Sequence, residues 1–234
     1  MQPYFFPYLG YFSLIHSVKH FMFFDDVQYL KKSWMSRNRL LNIEKAEPYF
    51  IRPKLIKPDY KALYTSVKLD NNDNWKLKLV KQLNGYKHKA PFYKQIKILL
   101  EEILEHNYDF LTTFNINSTV TISKALGLDT KFDNYTDYDF WFEEKPQKGD
   151  WGRVIAKDIK ASHYINSPGG ESFIFPEKFS EIDMKLGFIQ PMLKLYNQSH
   201  SAFISGLSII DVLLFNGIQE TAEMISKYEI KWKN

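Results

Sequence analysis

The chain has 234 residues, 44% of them apolar and 25% charged, a balance that builds a packed core and argues against a disordered chain. It contains no cysteine, which excludes disulfide frameworks, thiolate metal sites and cysteine nucleophiles. The net charge of +4 is too small and too scattered for a nucleic-acid groove, although it favours phosphate-bearing ligands.

The opening segment, MQPYFFPYLGYFSLIHSVKH, is apolar but interrupted by prolines and a glycine. It lacks the basic start and small-residue cleavage site of a signal peptide. Residues 1–6 read as the end of a strand, with a turn over Pro7 to Gly10. A helix follows from about Tyr11 to Lys19, with Phe12, Leu14, Ile15 and Val18 at helical spacing. The run Phe21 to Phe24 suits a fully buried strand ending at Asp25-Asp26. Strand, turn, helix and buried strand open a βαβ unit, which implies a parallel sheet with helices on its faces.

Residues 28–42 are polar, aromatic and basic, and read as a long loop with strand-like pieces. Short β-prone stretches recur at 49–52 and 65–69. Helices are expected at 75–83, at 93–106 with a core stripe of Ile96, Leu99, Leu100, Ile103 and Leu104, and at 118–126 with Gly127 as the stop. Residues 133–150 read as a charged, aromatic surface loop or lid. A helix over 151–160 then feeds a strand at 163–166 and a turn at 167–170. A strand near 189–193 and a helix over 208–214 complete the pass. The expected fold is a Rossmann-like α/β arrangement, its mainly parallel sheet flanked by helices. It occupies one domain over 1–234, with a mostly helical middle at about 75–130. No apolar run is long enough to span a membrane, and cysteine usage is compatible with a cytoplasmic location.

In parallel α/β sheets, ligands sit at the carboxyl ends of the strands, and three segments are expected there. In the first, Gln2, Tyr8 and Gly10 lie around a turn that precedes a helix, whose unpaired N–H groups favour phosphate; the alternative is a tight turn. In the second, Asp25 and Asp26 are candidate bases or oxygen ligands, or else a turn cap and a solvated carboxylate. Gln28, Trp34, Arg37 and Asn38 follow, with Arg37 and Asn38 able to hold a phosphate or to form an ordinary surface loop. In the third, Asn166, Gly169 and Gly170 permit close backbone approach to a ligand. His163 beside them is a candidate base or a structural histidine. Further along, Tyr196, Gln198 and His200 can offer polar groups to a sugar, and Asp211 lies among apolar helix residues, either paired in the core or facing a cleft. No metal-ligand spacing, serine elbow or P-loop is present.

The pieces MQPYFFPYLGYFSLI, FFDDVQYLKKSWMSRNRL, HYINSPGG and YNQSHSAFISGLSIIDVLLFNG together resemble the WbqC-like family, in order, from residue 1 to about 217. The resemblance implies a setting in surface-polysaccharide or O-antigen biosynthesis. It also implies transfer of an acyl or aminoacyl group to the amine of a nucleotide-linked sugar. It carries forward Gln2, Pro3, Tyr8, Gly10, Asp25, Asp26, Gln28, Trp34, Arg37, Asn38, Asn166, Gly169, Gly170, Tyr196, Gln198 and Asp211 as pattern residues. Family members commonly have β-prone residues before the Gln-Pro motif, so the first strand here is either very short or begins upstream of Met1. The expected partner is a small nucleotide-linked sugar, with an acyl or aminoacyl donor of unknown identity, no bound metal and no nucleic acid. The rival expectations are a non-catalytic scaffold of polysaccharide assembly and a nucleotidyltransferase-like enzyme.

Overall fold

The computed structural model describes residues 1–59, 61–199 and 203–233. His200 therefore lies outside the described residues. The chain forms seven α-helices and seven strands among them: α1 (Leu9–His16), β1 (His20–Phe23), β2 (Asn38–Asn42), β3 (Glu47–Ile51), α2 (Trp75–Gln82), α3 (Tyr93–Glu105), α4 (Leu111–Ala125), β4 (Lys131–Asn134), α5 (Trp151–Asp158), β5 (His163–Asn166), α6 (Glu177–Ser180), β6 (Lys185–Pro191), α7 (Ile209–Ile225) and β7 (Tyr228–Lys233).

The apolar spacing explains most of these. In α3, Ile96, Leu100, Ile103 and Leu104 are all buried, the stripe expected of an amphipathic helix. By contrast, α4 starts at Leu111, well before the expected Ser118. Its early turns carry Thr112 and Asn115, which look solvent-facing in sequence but are buried and bonded. Thr112 Oγ1 donates to Tyr64 O at 2.8 Å, and Asn115 Nδ2 donates to Met35 O at 2.7 Å. The β-prone stretch at 65–69 is a 3-10 turn over Tyr64–Ser66 with isolated bridges from Lys68 and Leu69.

The strands form three small sheets. β1 pairs with β4 in parallel, β2 with β3 as an antiparallel hairpin, and β5 with β6 in parallel; β7 then adds antiparallel to β6. The parallel character expected of the first and third units is present, but one continuous sheet is not. The amine of Met1 donates to Met22 O at 2.9 Å, and Phe24 N donates to Met1 O at 2.8 Å. That bond pair is the pattern of a residue in a parallel ladder opposite Phe23. Beyond Met1, a cavity of about 1230 Å³ separates β1 from β5. Most buried apolar side chains form one cluster, while Ala156, Ile174, Phe179, Met184, Leu186 and Phe188 form a second under β5 and β6. No helix of the described residues is long and apolar enough to cross a membrane.

Candidate functional site

The parallel strands direct their carboxyl ends to the mouth of this cavity. Gln2 and Tyr4 follow Met1, Phe24 follows β1, Asn166 ends β5, and Ser167, Gly169 and Gly170 follow it; all line the cavity. Lys148 and Gly149 join them from the end of the segment read as a lid. The exposed ammonium of Lys148 lies 4.8 Å from the centre of the Phe173 ring, a cation–π contact that leaves its charge available at the mouth.

Local chemistry fixes each of these groups. Asn166 Oδ1 accepts from Ser167 N at 2.7 Å, and its Nδ2 donates to Tyr164 Oη at 2.8 Å. Burial pushes the Tyr164 hydroxyl up to about 12 against the effect of the Asn166 bond, so it stays protonated at neutral pH. The two glycines of the turn differ. A Cβ at Gly170 would lie 2.9 Å from Ile174 and 3.2 Å from the Asn166 side chain, whereas one at Gly169 would meet nothing within 4 Å. Close packing therefore requires glycine at 170, and Gly169 presents open backbone.

The two aspartates after β1 have different environments. Asp25 is buried and accepts from Thr136 N at 3.2 Å and Thr136 Oγ1 at 2.7 Å, which ties the end of β1 to the end of β4. Asp26 is exposed. The neighbouring Tyr135 hydroxyl is held above its usual value by burial and by the charges of Asp26 and Asp25. Its ring stands edge-on to Phe24 and Trp151. His163 begins β5 and lies about 10 Å along the strand from Asn166, three residues away at about 3.3 Å each. Its Nδ1 is 2.8 Å from Ser162 Oγ, and its ring meets Trp232. It is exposed and lines the cavity at the opposite end of β5 from Asn166.

A second polar centre gathers other expected residues. The Asp211 carboxylate, fully buried in the first turn of α7, accepts from Tyr86 Oη and Tyr196 Oη, each at 2.6 Å. Burial raises its pKa despite those bonds. Tyr86 Oη accepts from Leu41 N at 2.7 Å. Gln198 Nε2 donates to Ile204 O and Tyr196 Oη, and its Oε1 accepts from Ile204 N. These bonds join β2, the loop before α7 and α7 itself.

The proline turn belongs to this second centre. Asn38 Nδ2 donates to Phe5 O and Phe6 O, Ser208 Oγ to Phe6 O at 2.9 Å, and Ile209 N to Pro7 O at 2.8 Å. Tyr64 Oη holds Pro3 O at 2.8 Å. Together they hold Phe6 at a φ of 42°, a left-handed conformation that needs such support in a non-glycine residue. The first turn of α1 is covered. Leu9 and Gly10 are buried, and the Tyr8 ring lies where a Cβ on Gly10 would approach to 2.5 Å. None of residues 7–10 lines the cavity. Arg37 stacks over Phe50 at 4.3 Å, and Arg39 lies 5.7 Å from the exposed Trp34 ring. Exposed Gln28 forms an isolated bridge with Leu63.

The structure thus brings Gln2, Asn166, Gly169 and Gly170 to one mouth, and Tyr8, Asn38, Tyr196, Gln198 and Asp211 to a separate centre. Tyr4, Thr136, Lys148 and Tyr86 enter these centres without having been singled out in sequence. Thr136 and Lys148 fall inside the segment read as a lid, and with β4 not legible in sequence no signal marked Thr136.

The model of the WbqC-like protein family matches residues 2–223, so the chain belongs to that family. A similar protein is the uncharacterized protein Rv1507c of Mycobacterium tuberculosis (strain ATCC 25618 / H37Rv), 27% identical over 218 residues. That match covers 92% of this chain and 91% of the relative. No solved structure matches the chain.

Proposed function

We propose that this member of the WbqC-like family is a transferase that acylates or aminoacylates the amine of a nucleotide-linked sugar at the mouth of the cavity. The supporting observation is the convergence there of strand carboxyl ends bearing Gln2, Tyr4, Asn166, Ser167 and Gly169, with Lys148 beside them. This is where ligands collect in parallel α/β architecture, and the reading rests on a Rossmann-like relation between the β1 and β5 units. Lys148 and the open backbone of Gly169 suit the phosphates. The side-chain amides of Gln2 and Asn166 suit sugar hydroxyls.

In the reaction, the sugar amine attacks the carbonyl carbon of an activated acyl or aminoacyl donor, forming the C–N bond. The donor's leaving group departs with the electron pair of the broken bond, and a carboxylate takes the proton from nitrogen. Asp26 is the better candidate base: it is exposed, whereas both oxygens of Asp25 are engaged by Thr136. The test is turnover of nucleotide-linked amino sugars with thioester or aminoacyl donors. Asp26→Asn is expected to lower kcat by about 100-fold with little change in sugar-nucleotide affinity. Tight sugar-nucleotide binding without turnover from any such donor would refute the transferase reading.

A scaffold role in polysaccharide assembly is the second reading, favoured by Trp141, which is 81% exposed. Under it, Trp141→Ala disrupts the pathway and Asp26→Asn leaves it intact.

A further inference from the structure

The positive charge of the chain is concentrated rather than scattered. Residues 28–68 hold ten Lys or Arg and three Asp or Glu, a net +7 within a chain of net +4, so the remaining residues are net −3. Among the described residues, Lys32, Arg37, Arg39, Lys54, Lys57 and Lys61 have no carboxylate partner. Such asymmetry marks a surface for an anionic partner.

The same segment turns apolar side chains outward. Tyr29 N donates to Ala62 O at 2.9 Å and Tyr64 N to Val27 O at 2.8 Å, which sets Gln28 opposite Leu63. Side chains alternate across this ribbon, so Tyr29 is buried while Leu30, Lys61 and Leu63 face solvent. A second ribbon, in which Ile56 N donates to Lys68 O at 3.1 Å, buries Leu69 and exposes Ile56 and Lys68. Leu30, Ile56 and Leu63 are each more than half exposed. Ser33 N donates to Leu30 O in the turn just before Trp34. The exposed Trp34 ring lies beside Arg39, which stands opposite the exposed Phe50 in the β2–β3 hairpin. Aliphatic tips, rings and cations therefore share one stretch of surface.

The aliphatic side chains distinguish between anionic partners. A nucleic acid offers phosphates to Lys and Arg and bases to aromatic rings, but it gives Leu30, Ile56 and Leu63 no apolar medium to enter. A bilayer with anionic headgroups has acyl chains directly beneath its charge. Cations stay at the headgroups there, while aliphatic and aromatic side chains enter the acyl boundary.

We infer that this surface docks the protein peripherally on an anionic bilayer. Leu30, Trp34 and Leu63 dip below the headgroups, and Lys32, Arg39 and Lys61 lie among the phosphates. Each cation held there raises the partition coefficient about fivefold, and added salt weakens the attraction. Nothing in this docking depends on the transferase reading.

The experiment is co-sedimentation of the full chain with vesicles of phosphatidylcholine alone or with about 30% phosphatidylglycerol, at about 0.1 M salt. Binding to the anionic vesicles is expected to be at least about tenfold stronger. Lys32→Glu with Lys61→Glu is expected to weaken it by more than about 25-fold, and Leu30→Ser with Leu63→Ser by about tenfold. Lys94→Glu with Lys97→Glu, an equal change of charge on α3, is expected to weaken it less than about threefold. Residues 30, 32, 61 and 63 are all exposed, so an unchanged Tm separates lost docking from lost folding. Equal losses from the two charge-reversed pairs, full binding by the serine pair, or no preference for anionic vesicles would overturn the inference. So would transfer of the protein from anionic vesicles to a duplex oligonucleotide at equal phosphate concentration, which would assign the surface to nucleic acid.

Discussion

At Asp211 a buried carboxylate sits between the hydroxyls of Tyr86 and Tyr196, and the Tyr86 oxygen also accepts the Leu41 amide. Tyr86→Phe keeps the ring but strands the Leu41 N–H and one carboxylate oxygen away from water. The expected loss is about 1–3 kcal/mol, read as a lower urea midpoint with an unchanged slope. The Met1 amine gives a second residue-scale prediction. Its pKa falls from 8.0 to about 5 on folding. Between those values the unfolded amine holds a proton that the folded amine has lost, so stability rises with pH across that window. Three units correspond to a change of order 4 kcal/mol at full burial. Denaturation of the 234-residue chain at pH 5, 6, 7 and 8 is expected to show this rise. Asp25 and Asp26 are adjacent and chemically identical, and only the pairing of β1 with β4 separates a structural tie to Thr136 from an exposed carboxylate.

Helix α7 is interrupted at Gly217, whose φ of 70° and ψ of −173° belong to a region that glycine alone occupies readily. A Cβ there would also approach the Phe92 ring to 2.7 Å. Gly217→Ala is expected to lower stability by about 2–3 kcal/mol, visible as a reduced thermal midpoint. The elements legible in sequence were those whose apolar spacing reports burial directly. β5 was expected at 163–166 and is found there, and α1, β1, α3 and α5 lie within a few residues of their expected places. β4 was not legible, because Lys131–Asn134 holds a single large apolar residue, Phe132, and exists through its ladder with β1. The Tyr228, Ile230, Trp232 alternation in β7 carried a period-two signal that went unread. The early turns of α4 were hidden because their buried residues are polar and matched by specific partners.

For the whole molecule, two of the three segments expected at strand carboxyl ends contribute cavity-lining residues, Gln2 from the first and Asn166, Gly169 and Gly170 from the third, while no residue from Asp25 to Asn38 lines the cavity. Gln2 and Asn166 are 164 positions apart, and only the arrangement of the parallel strands places both on one rim. The proline turn before α1 looked like a phosphate loop, since strand, turn and helix occur in the right order. Tertiary packing directs it instead to Asn38 and Ser208, and the Tyr8 ring packs against Gly10. The most direct test of the site is hydrogen exchange of the protein with and without a nucleotide-linked amino sugar. The account predicts new protection in residues 2–5, 24–28 and 166–172, at the ends of three strands. Protection confined to residues 34–39 and 203–208, around Trp34, Arg39 and the start of α7, would contradict it and move the site to the second polar centre.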